Sequence, residues 1–294
     1  MRGSARRRAP ASFFGVPVFR DLFFYSASFC FASLHILVLS GAHESRAQPG
    51  ALCFAFGRRV WYSLDMKVYA ISDLHLSFAV DKPMDIFGDG WQDHFEKVKA
   101  DWLGKVTPED AVLLGGDISW GISVAEAAPD YAALAELPGR KIVLRGNHDY
   151  YWSTLSKMRT AFPDFDFVQN NCVRAGNVLV AGSRGWTLPS SSSTPEDAKI
   201  YARELERLRL SLTDMSKQRG EDDKVVAMLH YPPFEADRGD TEVTALLEEF
   251  KPDAVLYGHL HGKKVRVQPE IIKHGIRYLL TSCDLVKNTL VPVF

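Results

Sequence analysis

Cysteine is scarce: the 294 residues contain four, Cys30, Cys53, Cys172 and Cys283, with no CxxC pair and no dense spacing. That excludes a zinc ribbon and a disulfide-stapled mini-domain, and it suits a reducing compartment. Residues 1–65 lack lysine altogether; they hold eight arginines and only Asp21, Glu44 and Asp65 as acids, a net charge of +5. Residues 66–294 hold all fifteen lysines yet are net acidic at −6 and have no basic run, which argues against nucleic-acid binding as the main task. No internal repeat is present, and nothing after residue 66 is long and apolar enough to span a membrane. Ser190 to Thr194 is the only low-complexity patch, a flexible loop by composition. The apolar fraction of 46% is ample for a buried core.

The break in composition divides the chain into a leader, 1–65, and a domain, 66–294. Met66 stands immediately before the first expected strand and would serve as an initiator. Arg2 to Arg8, followed by the uncharged, Phe- and Leu-rich stretch 22–42, has the layout of a signal peptide or membrane anchor, with Ser45-Arg46-Ala47 as a small-residue cleavage site. An Arg-rich, acid-poor leader also fits an organellar transit peptide, and a start assigned too early produces the same abrupt shift. The three readings stay open. The expected location is the cytoplasm, with export, anchoring through residues 22–42 or organellar import as alternatives.

Five short runs carry the chemistry: Asp73-Leu74-His75, Gly116-Asp117, Gly146-Asn147-His148-Asp149, His230 and Gly258-His259-Leu260-His261. Each follows an apolar, β-branched stretch (67–72, 111–114, 141–144, 224–229 and 254–257), the pattern of a buried strand closed by glycine or a polar cluster. Five of the nine histidines fall in these runs, which outweighs the ordinary reading of each as a hydrogen-bonded core or loop residue. His35, His43, His94 and His274 keep that ordinary reading. Further strands are expected at 177–183, 264–267 and 277–281. Helices are expected at 91–103, 124–135, 152–161, 195–216 and 241–250, the fourth showing Ile200, Leu205, Leu208 and Leu212 at helical spacing.

Imidazole nitrogen and carboxylate oxygen together suit Mn, Fe or Zn, whereas an all-oxygen set suits Mg or Ca. Asp73, His75, Asp117, Asn147, His230, His259 and His261 are too many for one tetrahedral ion and enough for two that share a carboxylate, with Asp117 the natural bridge. On an extended segment, His-Leu-His points both imidazoles to one side, as does Asp-Leu-His, because strand side chains repeat every two residues.

The order DxH, GD, GNH(D/E), H, GHxH resembles the calcineurin-like metallophosphoesterases, from Met66 to about Leu280, and small bacterial phosphohydrolases of that family most of all. The resemblance implies an α/β fold of two packed mixed β-sheets flanked by helices. It implies two divalent metal ions, with Mn2+ expected and Fe or Zn as alternatives. One ion would be held by Asp73, His75, Asp117 and His261, the other by Asp117, Asn147, His230 and His259. It further implies hydrolysis of a phosphate mono- or diester by metal-activated hydroxide, with His148 assisting the leaving group; Asp149, its neighbour in sequence, is expected to orient it. The expected partner is a phosphorylated small molecule or nucleotide.

Departures from the family's pattern narrow the substrate. The protein Ser/Thr phosphatases extend the second block to GDxxDRG, and Gly116-Asp117-Ile118-Ser119-Trp120-Gly121 lacks both the later Asp and the Arg. A phosphatase of that kind remains the alternative enzyme, and a non-catalytic scaffold on the same fold the alternative class, although no ligand position is lost here. Arg145 precedes Gly146 as in the LRGNH of those relatives. Arg184 could pair with phosphate, and Trp186 could stack on a base or ring or simply pack at a domain edge.

Overall fold

Val68, Tyr69, Ala70 and Ile71 are all buried, and they divide by parity, as side chains on a strand must when both faces of a sheet are covered. A computed structural model describes residues 66–262 and 264–294. In it Val68 and Ala70 pack among residues of a second sheet, while Tyr69 and Ile71 pack among helices. The expectations for the leader, with His35 and His43, lie outside the described residues. No helix among the described residues is long and apolar enough to cross a membrane.

The first sheet joins β1 (Val68–Ile71), β2 (Ala111–Leu114), β3 (Arg140–Leu144) and β4 (Phe165–Val168) in parallel, with β11 (Val291–Pro292) antiparallel on β1. The second runs in the order β5 (Val173–Ala175), β6 (Val178–Ser183), β7 (Lys224–Leu229), β8 (Ala254–Tyr257), β10 (Ile276–Leu280) and β9 (Glu270–Lys273). Its inner four strands are parallel and its two edges antiparallel. Parallel neighbours need crossovers, and α1 (His94–Lys105), α2 (Val124–Ala135) and α3 (Leu155–Ala161) serve the first sheet, α4 (Pro195–Gln218) and α5 (Glu242–Phe250) the second. Phe95, Tyr131 and Met158 cover the outer face of one sheet; Leu208, Leu212 and Leu247 cover that of the other. The result is the expected layering of two mixed sheets between helices.

The five expected helices form, and side-chain caps set the starts of all but α1. Ser123 with Glu126 and Thr194 with Asp197 make reciprocal capping boxes at α2 and α4. Helix α3 starts later than expected because the Thr154 hydroxyl caps the Lys157 N–H, while the Trp152 indole donates to Gln169. Residues 264–267 form no strand. The chain instead makes a hairpin from β9 and β10 around His274-Gly275, both at positive φ (50° and 80°), the backbone a two-residue loop demands. Strands β4, β5, β9 and β11 were not expected. All are short, and all four lie at sheet edges.

Candidate metal centre

The five runs meet because their strands end at the same edge. Asp73 and His75 follow β1, Asp117 follows β2, Asn147 to Asp149 follow β3, His230 follows β7, and His259 and His261 follow β8. Backbone hydrogen bonds zip the first two loops together: Asp73 N–H donates to Gly116 O at 2.8 Å, His75 N–H to Asp117 O at 2.9 Å, and Leu76 N–H to Ile118 O at 2.9 Å. Two glycines allow the closest approaches. A Cβ on Gly146 would lie 2.1 Å from Asp117 Oδ1, and one on Gly258 would lie 2.4 Å from Asp73 Oδ2. No side chain fits either place.

The ligand-type residues are not on extended backbone, as their alternation had implied. Asp73 (φ 60°), His75 (46°), Asp117 (53°) and His259 (69°) are all left-handed. Asp and His visit that region more readily than most residues, but each such position costs roughly 1–3 kcal/mol and persists where the surroundings impose it. One consequence is that His259 and His261 diverge. His259 Nδ1 lies 2.9 Å from Asn147 Oδ1, whereas His261 Nε2 lies 3.1 Å from Asp73 Oδ1.

The seven residues therefore fall into two overlapping groups. Asp73, His75 and His261 converge within 4.8 Å, as do Asp73, Asp117 and His230. Asn147 Oδ1 adds itself to the second group, 2.7 Å from His230 Nε2. Both aspartates face both groups, but their oxygens differ in freedom. Asp73 Oδ2 already accepts from Ser72 Oγ at 2.5 Å and from His259 N–H at 3.0 Å. Asp117 uses Oδ1 for the His148 N–H, at 2.7 Å, and turns Oδ2 toward His75 Nε2 (3.7 Å) and His230 Nε2 (3.3 Å).

His75 tests whether a cation fits. It is 3% exposed, its Nδ1 has no hydrogen-bond partner, and its Nε2 faces Asp117 from beyond hydrogen-bond range. A buried imidazole without any hydrogen bond is costly, and a divalent ion between Nε2 and the carboxylates would give the ring a partner. The charges agree. Burial, with His230 nearby, pulls His259 down to about 4, and burial pulls His75 to about 4 against the attraction of Asp117, so both rings are neutral donors at neutral pH. Burial would lower His230 and His261 too, but Asp117 holds the first at about 9, and Asp284 with Asp73 holds the second at about 10. Asp73 stays far below the usual carboxylate range despite burial, because His261, His230 and His75 surround it.

The residues around this set include some that carried no sequence signal. Asp284 accepts from the His261 ring (Nδ1, 3.0 Å) and from the Gly262 N–H (2.9 Å), the usual arrangement for fixing a ligand imidazole. It sits beyond β10 and belongs to no motif. Trp120 stacks on His75 at 4.7 Å between centroids and tilts against His148 at 4.6 Å. His94 bonds Leu74 O and Trp91 O, the structural role expected of it.

His148 is half-buried beside the group, with Nδ1 unpartnered, and burial lowers its pKa against the pull of Asp117. Asp149 does not orient it. Its carboxylate instead accepts from the N–H groups of Asp117 (2.9 Å), Ile118 (2.9 Å) and Gly146 (2.6 Å) and from Tyr151 Oη (2.8 Å), so it clamps the second and third blocks together. Burial and the nearby Asp117 raise its pKa to about 6. Adjacency in sequence was the only basis for the orienting role, and the Asp149 carboxylate is instead occupied by backbone N–H groups of both blocks.

Arg145 and Arg184 line one recess with Glu204 and Arg207. Glu204 alone serves Arg184 (3.3 Å) and Arg207 (2.7 Å), and the Nε atoms of Arg145 and Arg184 are buried without partners. The recess thus has surplus positive charge. Trp186 is tethered through its indole N–H to Asp197 (3.1 Å), lies under the Arg184 guanidinium at 4.6 Å, and meets Tyr231 at 5.2 Å.

No curated protein matches the sequence. Among solved structures, TT1561 of Thermus thermophilus shares the fold, with a TM-score of 0.50 at 16% identity over 78% of this chain and 98% of that one. AQ665 from Aquifex aeolicus, a protein of unknown function, gives 0.42 at 14% identity over 78% and 96% of the two chains. GAP50, the anchor in the inner membrane complex of Plasmodium, gives 0.45 at 12% over 74% and 72%. The sequence model of the calcineurin-like phosphoesterases matches residues 66–263, a span that begins just before β1 and takes in all five blocks. With most of the chain inside that match, the protein belongs to the calcineurin-like phosphoesterase family.

Proposed function

We propose that the protein hydrolyses phosphate esters with two divalent ions held by Asp73, His75, Asp117, Asn147, His230, His259 and His261. The observation that carries the reading is Asp117 Oδ2, a carboxylate oxygen standing between the two groups, 3.7 Å from His75 Nε2 and 3.3 Å from His230 Nε2. Asp73, His75, Asp117 and His261 would hold one ion, and Asp117, Asn147, His230 and His259 the other. The mixed nitrogen and oxygen donors favour Mn2+, with Fe or Zn also suited. Such ions, when bound, supply Lewis acidity to the phosphoryl oxygens and make water a nucleophile at neutral pH.

The chain's own residues do the rest. Asp149, the glycine contacts and the left-handed turns hold the donors in place before substrate arrives, which limits reorganisation during the reaction. His148, anchored through its backbone to Asp117 and packed on Trp120, presents an imidazole to the departing oxygen and donates a hydrogen bond or proton to it. Arg145 and Arg184 take a phosphoryl oxygen or a second anionic group, an assignment supported by their unpartnered Nε atoms.

The experiment is hydrolysis of a nitrophenyl phosphate and a bis-nitrophenyl phosphate by the full chain, with and without Mn2+, beside the Asp117→Asn variant. Mn2+-dependent turnover that the variant lacks is expected. A metal-loaded, folded chain inert toward both esters would favour the scaffold reading instead.

A further inference from the structure

Beside His259 the structure holds a cavity of about 400 Å3 that the ligand set does not use. Four rings, Trp186, Tyr231, Phe234 and Tyr257, line it together with Val265 and Ile271. The rings form a row leading away from the candidate metal centre: Tyr231 lies 4.1 Å from His259 between centroids, and Trp186 lies 5.2 Å from Tyr231. Thr187, Glu235 and Arg266 add polar groups to the wall, and two others are spent on each other, since Arg238 donates to Gln268 at 3.0 Å. The segment expected as a strand at 264–267 forms part of the wall, held by a turn from Val265 N–H to Gly262 O (3.1 Å).

The size and lining select among substrates. A phosphoryl group at the ligand set needs none of this space, and the volume lies within the range of small-molecule sites that bury an organic group on apolar walls. An alkyl chain would gain area alone, whereas a planar ring also gains offset or edge contacts with Tyr231 and Trp186, whose planes are inclined at 46°. We propose that this cavity receives an aryl or heteroaryl group carried by the phosphoester, so that the substrate class is an aromatic phosphoester and not a small polyol phosphate. The proposal rests on the hydrolase reading for one point, that the phosphorus lies at the ligand set next to His259.

Calorimetric titration of the full chain with 1-naphthylmethylphosphonate, decylphosphonate and methylphosphonate, with Mn2+ and again after chelation, tests it without turnover. The naphthyl ligand should bind at least tenfold more tightly than the methyl ligand and more tightly than the decyl one. Val265→Asp should reduce the naphthyl-to-methyl ratio at least fivefold. Val267→Asp, at a position 37% exposed and so tolerant of change, should reduce it as well. A naphthyl-to-methyl ratio near one, a ratio that both variants leave intact, or decyl binding equal to naphthyl binding would overturn the proposal. A naphthyl preference that persists while Mn2+ changes no affinity counts against the metal reading and supports the cavity assignment. Mn2+-dependent binding of both small ligands with no preference does the reverse.

Discussion

The two sheets contribute to the candidate centre in different ways. Asp73, His75 and Asp117, from the first sheet, are almost completely buried, left-handed, and locked by backbone hydrogen bonds, the Gly146 contact and the Asp149 clamp. On the second sheet His230 is buried just as deeply, but His259 and His261 stand half-buried on a loop held mainly by side chains, those of Asp73, Asn147 and Asp284. The large cavity opens on that side as well. The first sheet fixes its groups through backbone and buried contacts, and the second borders the cavity.

The largest effect should come from breaking the shared position. Asp117→Asn is expected to lose both ions at micromolar Mn2+ and to abolish turnover, whereas His75→Ala should lose one; elemental analysis of the dialysed variants reads the difference. His148→Ala should keep both ions and lower kcat by about 10²–10⁴-fold, the range for a positioned general acid. That deficit should shrink for nitrophenyl esters, whose leaving groups need little protonation; an equal deficit for alkyl and nitrophenyl esters would remove the acid role. Asp284→Ala should weaken one ion by roughly 10–100-fold through loss of the His261 support, with recovery in Asp284→Asn, which keeps an acceptor. If Asp284→Ala binds metal as the wild type does, the second-sheet side is stiffer than its contacts imply.

The smallest effect concerns the first sheet's stability far from the centre. Burial would raise the Asp110 pKa, but hydrogen bonds from Thr107 and Lys67 outweigh it and hold the carboxyl below its ordinary value. A depressed carboxyl stabilises the fold above its unfolded pKa of roughly 4 and loses that contribution as pH falls through the folded value. Asp110→Asn should therefore cost about 1 kcal/mol at pH 7. Its melting temperature should converge with that of the wild type toward pH 3, as read by thermal unfolding.

What the sequence disclosed was whatever a strand end carries next to it. Asp73, Asp117 and His230 each follow a run of buried apolar residues, so pattern and chemistry coincide within a few positions. The layered fold was legible for the same reason, since the runs 111–114 and 254–257 are strands of those bounds. Interactions between distant segments were not. Asp284 reaches His261 across a hairpin, and Asp149 serves the second block in place of its neighbour His148. The left-handed turns were hidden because a period-two pattern reports spacing and not φ. Val265 and Val267 alternate as a strand would, but no partner strand pairs with them, and they line the cavity instead.

The most direct test of the shared-carboxylate arrangement is the metal content of the full chain after dialysis against Mn2+, read alongside His75→Ala and Asp117→Asn. Two ions per chain in the wild type, one in His75→Ala and none in Asp117→Asn are predicted. One ion in the wild type, or two retained by Asp117→Asn, would contradict the account.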